Sequence, residues 1–200
     1  MVYINELKCL FKRCISINYI HINGQGSYAY EKIGNTLFIY FEKSNGHTDW
    51  RNNLDFPAKA HSGYFAHRGF LRVWKSLLPY IRNIVINTSP EKILVSGYSH
   101  GGALAVLCFE YLWLNYPLLR NSLTGYGFGA PRVIWGFLGN KRHRWDNFTV
   151  IRNINDLVTH LPPIFFGYRH VGSLLNIGQK GKYSMIDAHR EENILIELNI

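Results

Sequence analysis

The chain has 200 residues, of which 47% are apolar, 15% aromatic and 18% charged. That mix holds too many core-forming residues for a disordered chain and too many polar interruptions for a membrane bundle, so one globular domain over residues 1–200 is expected. Lys and Arg number 22 against 13 Asp and Glu, a formal charge of +9 that favours anionic partners without choosing among nucleic acid, acidic lipid headgroups and phosphorylated substrates.

Residues 1–33 read as a short helical opening, then a strand-like stretch from Ile15 to Ile22, then a Gly24–Gly26 turn. Glu6, Lys8, Lys12 and Arg13 break up the apolar residues of Met1 to Ile20, so no secretory leader is read there and a cytoplasmic home is expected. Thr36 to Phe41 is a continuous β-branched and aromatic run, as in a strand covered on both faces. After a polar loop, Phe70, Val73, Trp74, Leu77, Leu78 and Ile81 recur at helical spacing and predict a helix from Gly69 to about Ile86, Pro79 notwithstanding. Lys92 to Ser96 is the next strand.

Gly101 to Leu118 is long and apolar, but Glu110, Asn115 and Pro117 mark it as a helix buried in a soluble fold and not a membrane span. Leu123–Phe128 and Phe148–Ile154 are two further strands, separated by a basic and aromatic segment from Arg132 to Trp145. Strands and helices alternate, which predicts an α/β fold with a mostly parallel central sheet. Three cysteines (Cys9, Cys14, Cys108) imply no disulfide framework, and Cys108 reads as a plain buried thiol.

The chemistry centres on Gly97-Tyr98-Ser99-His100-Gly101-Gly102, where a strand hands over to the buried helix. A serine displayed on so tight a turn needs side-chain-free neighbours two positions to either side, which Gly97 and Gly101 supply. The opening N–H groups of the helix then face the space where a tetrahedral oxyanion would form. The serine needs a base, and the base an orienting carboxylate. Asp156 follows the strand Phe148–Ile154 at the carboxyl edge of the sheet, where parallel sheets build their sites. Of the histidines beyond it, His160 is too near in sequence and is followed by Leu161-Pro162-Pro163. His189, 33 residues past Asp156, is preferred over His170, which stays as the alternative.

These residues resemble the class 3, fungal-type triacylglycerol lipase family of the α/β-hydrolase fold. Gly97-Tyr-Ser-His-Gly-Gly-Ala-Leu-Ala105 is similar to the family's GHSLGGALA, and Phe128-Gly-Ala-Pro131 to its FGAPRVG. Asn155-Asp156 with Val158 and Leu161-Pro162-Pro163 resembles the segment of the catalytic aspartate, and Tyr168-Arg-His170-Val-Gly172 a Y-x-H-x-G that precedes the catalytic histidine. The resemblance runs from Gly34 to the C-terminus. It implies Ser99 as nucleophile, Asp156 as orienter and His189 as base, and leaves His170 structural. It also implies an oxyanion hole from the backbone N–H groups of Ser44 and His100, with Phe41-Glu42-Lys43-Ser44 and Asp49-Trp50 standing where the family has FRGT and a later Asp-Trp. His67-Arg-Gly69-Phe70 matches a packing landmark. Asn45 to Asn53 occupies the place of an amphipathic lid, and its polar character predicts weak or absent interfacial activation.

The remaining features carry ordinary readings. Lys141-Arg-His-Arg144 reads as a solvated basic run, and His21, His47, His61 and His143 as surface residues. No histidine makes an HExxH-like spacing, so no metal is expected and no cofactor is needed. The whole reads as a serine hydrolase cleaving carboxylic esters of lipids, an acylglycerol lipase or esterase working through an acyl-enzyme. The partners expected are a lipid or small ester substrate and peripheral contact with anionic membrane, with no specific nucleic acid. The alternatives are phospholipase A-type activity on anionic lipids, acyl transfer to an alcohol, and a non-catalytic basic membrane- or nucleic-acid-binding protein on the same fold.

Overall fold

The computed structural model describes residues 4–22, 26–44 and 55–199. Seven strands form the main sheet: β1 (Ile20–Ile22), β2 (Gly26–Ile33), β3 (Thr36–Phe41), β6 (Lys92–Tyr98), β7 (Leu123–Phe128), β9 (Phe148–Asn153) and β11 (Ser173–Ile177). Their order is β1-β2-β3-β6-β7-β9-β11, antiparallel across β1, β2 and β3 and parallel from β3 onward. A smaller antiparallel sheet, β10-β8-β5-β4, stands beside it, built from Tyr168–Arg169, Ile134–Trp135, Tyr64–His67 and Ala58–His61. Strands of two to four residues carry too little alternation to be seen in a sequence, which is why this second sheet was not foreseen.

Helices cover both faces of the main sheet. We number them α1 (Ile4–Ser16), α2 (Arg68–Thr88), α3 (His100–Asn115) and α4 (Glu191–Glu197). Strand β3 shows why its run is apolar at every position. Leu37, Ile39 and Phe41 join the core under α2 and α3, while Tyr40 and Phe38 belong to a second core under α1 and α4. Helix α3 packs against both the sheet and α2 and is buried nearly all round, as its composition requires. Pro79 sits on the exposed side of α2, and the helix continues past it to Thr88.

The opening departs from expectation: α1 continues through Ser16, and only Ile20–Ile22 is strand. Its apolar residues at 7, 11 and 14 form one buried stripe, a helical period that the β-branched residues after Cys14 obscured. The Gly24–Gly26 turn lies largely outside the described residues, with Gly26 opening β2, and the whole segment Asn45–Asn53, with Asp49-Trp50, lies outside them. Cys14 and Cys108 are buried thiols and Cys9 is exposed. No described helix is long and apolar enough to cross a membrane.

Candidate active site

Strand β6 and helix α3 meet at Ser99, whose backbone sits at φ 56° and ψ −119°, a left-handed conformation that a serine adopts only under constraint. The constraint is local packing. The Ser99 N–H donates to the Phe128 carbonyl at 2.8 Å, and the Ser99 carbonyl accepts from Gly102 and Ala103 in the first turn of α3. A Cβ on Gly101 would press on the Phe41 carbonyl and come within 2.6 Å of that of Glu42, and one on Gly97 within 2.8 Å of the Gly102 nitrogen. Strand, helix and neighbouring strand β3 can therefore meet only where these two positions carry no side chain.

Three side chains from three distant parts of the chain converge here. The Ser99 hydroxyl lies 2.8 Å from His189 Nε2, and His189 Nδ1 lies 2.7 Å from Asp156 Oδ2. With the proton on Nδ1, the ring donates to the carboxylate and accepts from the serine. Asp156 is fully buried, and its other oxygen accepts from the Val158 N–H at 2.8 Å. Gly129, at φ 55°, passes directly beneath the pair: a Cβ there would lie 3.0 Å from His189 Cε1 and 3.4 Å from Asp156 Oδ2. The glycine of the Phe128-Gly-Ala-Pro segment is thus a site residue that the motif signalled without stating its purpose.

The loop that carries Asp156 is held from behind. Thr159 Oγ1 and His160 Nδ1 both donate to the Asp156 carbonyl, at 2.9 and 2.7 Å. The buried Arg132 guanidinium donates to the carbonyls of His160 and Pro162, and its backbone N–H to Leu161. Burial holds the Arg132 pKa below the usual guanidinium range. His170 does not reach the site; it donates to the Thr159 carbonyl at 2.8 Å, and burial drives its pKa down to about 4.

Ser99 and His189 open into a cavity of about 270 Å³ whose walls include Phe56, Phe70, Pro131, Val158, Leu161 and Pro162. Ser44 and His100 line the same cavity beside Ser99, and His100 opens α3 at the positive end of the helix dipole. The His100 ring is buried and meets Phe70 edge to face at 5.4 Å. A second, wider groove shares Lys43, Tyr98, Val158, Leu161 and His189 with the cavity and continues over Leu157, Met185 and Ile186. Among the described residues, no group of three or more His, Cys, Asp or Glu could hold a metal ion.

Two of the residues read as surface positions, His61 and Arg144, are partly buried. Glu110, fully buried in α3, accepts from Tyr64 at 2.5 Å and Arg144 at 2.5 Å and pairs with His61 at 3.2 Å. Arg144 and His61 are drawn inward because a buried carboxylate without partners would be costly, which sequence spacing alone does not reveal. His67 caps α2 and stacks on Phe70, as its landmark motif implied.

The profile of the family described as Lipase (class 3) matches residues 38–166, well over half of the chain. The chain belongs to the class 3 lipases. It is 32% identical over 153 residues to a lipase of Rhizomucor miehei, covering 68% of this chain and 40% of that protein. It is 33% identical over 132 residues to a secreted mono- and diacylglycerol lipase of Fusarium solani, covering 61% and 38%. Among solved structures it resembles a triacylglycerol lipase whose catalytic centre is described as a serine protease triad, with a TM-score of 0.68, 25% identity, and coverage of 82% of this chain and 66% of that one. With these neighbours the layered sheet is an α/β-hydrolase fold. The chain spans about two fifths of the length of the curated relatives it matches. The Fusarium solani relative is secreted, which overturns the cytoplasmic expectation. The charges scattered through the opening serve the outer face of the amphipathic α1 and carry no information about export.

Proposed function

We propose that this chain is a serine hydrolase of lipid esters, acting on acylglycerols through an acyl-enzyme. The observation that carries the reading is the unbroken hydrogen-bonded line from the Ser99 hydroxyl through His189 to the buried Asp156, at the floor of an apolar cavity. His189 takes the Ser99 proton as the oxygen attacks the ester carbonyl, and Asp156 holds the ring tautomer and stabilises the imidazolium. The tetrahedral oxyanion is held by the backbone N–H groups of Ser44 and His100. On collapse, His189 returns the proton to the departing alcohol and leaves Ser99 acylated. Water, deprotonated by His189, attacks the acyl-enzyme, and release of the carboxylic acid restores the serine.

The lipid class is supported by the apolar walls, into which an acyl chain fits, and by two of the similar proteins, which are acylglycerol lipases by name. The test is hydrolysis of p-nitrophenyl esters from acetate to palmitate, comparing wild type with Ser99→Ala. Activity that disappears in the variant is the expected result. Equal activity in both proteins, or none in the wild type, overturns the proposal.

A further inference from the structure

His189 reaches the site from the short turn Asp187–His189, 90 residues after Ser99, and Ala188 is the only buried residue of that turn. Met185 and Ile186 just before it are largely exposed. A base delivered on so lightly packed a segment needs an external anchor. Tyr98, the residue before Ser99, supplies two contacts. Its ring stacks on the His189 imidazole with centroids 5.2 Å apart and planes 29° from parallel, and its hydroxyl donates to the His189 backbone carbonyl. The Tyr98 ring is fixed in turn by Phe11 of α1, packed edge-on against it at 5.4 Å and fully buried. The family's nucleophile motif carries histidine where this chain carries Tyr98.

We propose that Tyr98 is a positioning residue for His189: the hydroxyl tethers the turn, and the ring face holds the imidazole in line with Ser99 and Asp156 and stabilises its protonated form. The proposal rests on His189 acting as the base. During attack the imidazole gains a proton, and an aromatic face within about 6 Å attracts the resulting cation. That attraction exists only once the proton has moved, so it favours the transition state over the ground state. Burial and the carboxylates of Glu191, Asp156 and Glu192 push the Tyr98 phenol far above its ordinary range, so it stays a donor throughout any working pH. The other charged groups around the ring are Asp156 on its Nδ1 and Lys43, Arg190, Glu191 and Glu192 along the shared groove, with Arg132 and His160 behind the Asp156 loop. Substituting Tyr98 alters none of them.

The experiment is the rate of labelling by a fluorophosphonate across pH, on the full chain, for wild type, Tyr98→Phe and Tyr98→Leu, with Ser99→Ala as blank and thermal unfolding of each. Tyr98→Phe keeps the stack and loses the tether, so its rate should fall roughly two- to tenfold with the acid limb of the profile unmoved. Tyr98→Leu loses both; its rate should fall roughly ten- to a hundredfold, and the acid limb should move to lower pH by about half a unit, because the imidazolium is less stabilised. Wild-type rates in both variants overturn the proposal, and so does a slow Tyr98→Leu whose acid limb has not moved. Should Tyr98→Leu fail to fold, Tyr98→Phe decides, since a wild-type rate there removes the tether. An unlabelled wild type, or labelling of Ser99→Ala, instead refutes the reading of Ser99 and His189 on which this proposal stands, and an inert or indiscriminate protein distinguishes that failure.

Discussion

Gly101→Ala tests the nucleophile turn directly. Its new Cβ would sit 2.6 Å from the Glu42 carbonyl and press still harder on that of Phe41, whereas real Cβ contacts keep beyond about 3.0 Å. Both obstacles are main-chain oxygens of the segment leaving β3, which cannot rotate away as a side chain would. Overpacking costs about 1–3 kcal/mol, and rigid neighbours place this case near 3. Replacing a helical glycine by alanine returns about 1 kcal/mol of helix propensity, which leaves a net loss of about 2 kcal/mol. For a chain of this size that lowers the melting temperature by about 4–8 °C. The relief must come from moving Phe41 and Glu42, and with them Ser44, relative to Ser99. Displacements approaching 1 Å at a reacting centre cost up to about a hundredfold in rate, so fluorophosphonate labelling should slow at least about tenfold. Gly102→Ala, whose Cβ meets the Ala130 methyl at 2.7 Å and main-chain atoms of Ala130 and Gly97 no nearer than 3.2 Å, should slow labelling less. A Gly101→Ala protein that melts within 2 °C of wild type and labels at the wild-type rate, on the order of no change at all, would refute the reasoning.

Three further outcomes are expected. Asp156→Asn leaves the His189 ring facing a neutral amide and free to take the wrong tautomer, so turnover should fall by roughly 10⁴-fold; a loss under about tenfold would remove Asp156 from the proposed mechanism. His170 is held neutral by burial with its pKa down at about 4, below the 6.5 of an exposed imidazole, so the unfolded chain binds more protons between those values. Stability should therefore be present in full above pH 6.5 and drain away as pH falls toward 4, and chemical denaturation of His170→Gln across that range should show a flatter dependence; an equal slope in both proteins contradicts it. Glu110→Ala strands Arg144 and His61 around a buried gap and should cost about 3–5 kcal/mol, a drop of about 6–20 °C in thermal unfolding, where a drop under about 2 °C would mean the cluster is not needed.

Local pattern alone determined a good deal about this chain. The runs Thr36–Phe41 and Leu123–Phe128, the amphipathic spacing of α2 and the all-round apolarity of α3 announce a layered sheet, because burial on one face or two leaves a period in the sequence. Gly97, Ser99 and Gly101 mark the turn for the same reason: the close approach of strand and helix is a steric condition on residues a few positions apart. Short-range signals failed where the structure is built from pieces too brief to have a period. The small sheet with its two-residue strands belongs to that class, whereas the end of α1 was hidden by the β-branched residues after Cys14, and the inward turn of Arg144 and His61 by a buried partner, Glu110, that leaves no mark in their own spacing. The sequence preferred His189 and kept His170 as the alternative; the folded loops bring His189 to Ser99 and turn His170 onto the Thr159 carbonyl, a difference that chain spacing suggests and only the return of the loops fixes. Tertiary structure alone decided that Gly129 passes beneath the imidazole and that Tyr98 lies against it. Those contacts join residues up to 91 positions apart, and no spacing along a chain encodes a distance that only folding creates.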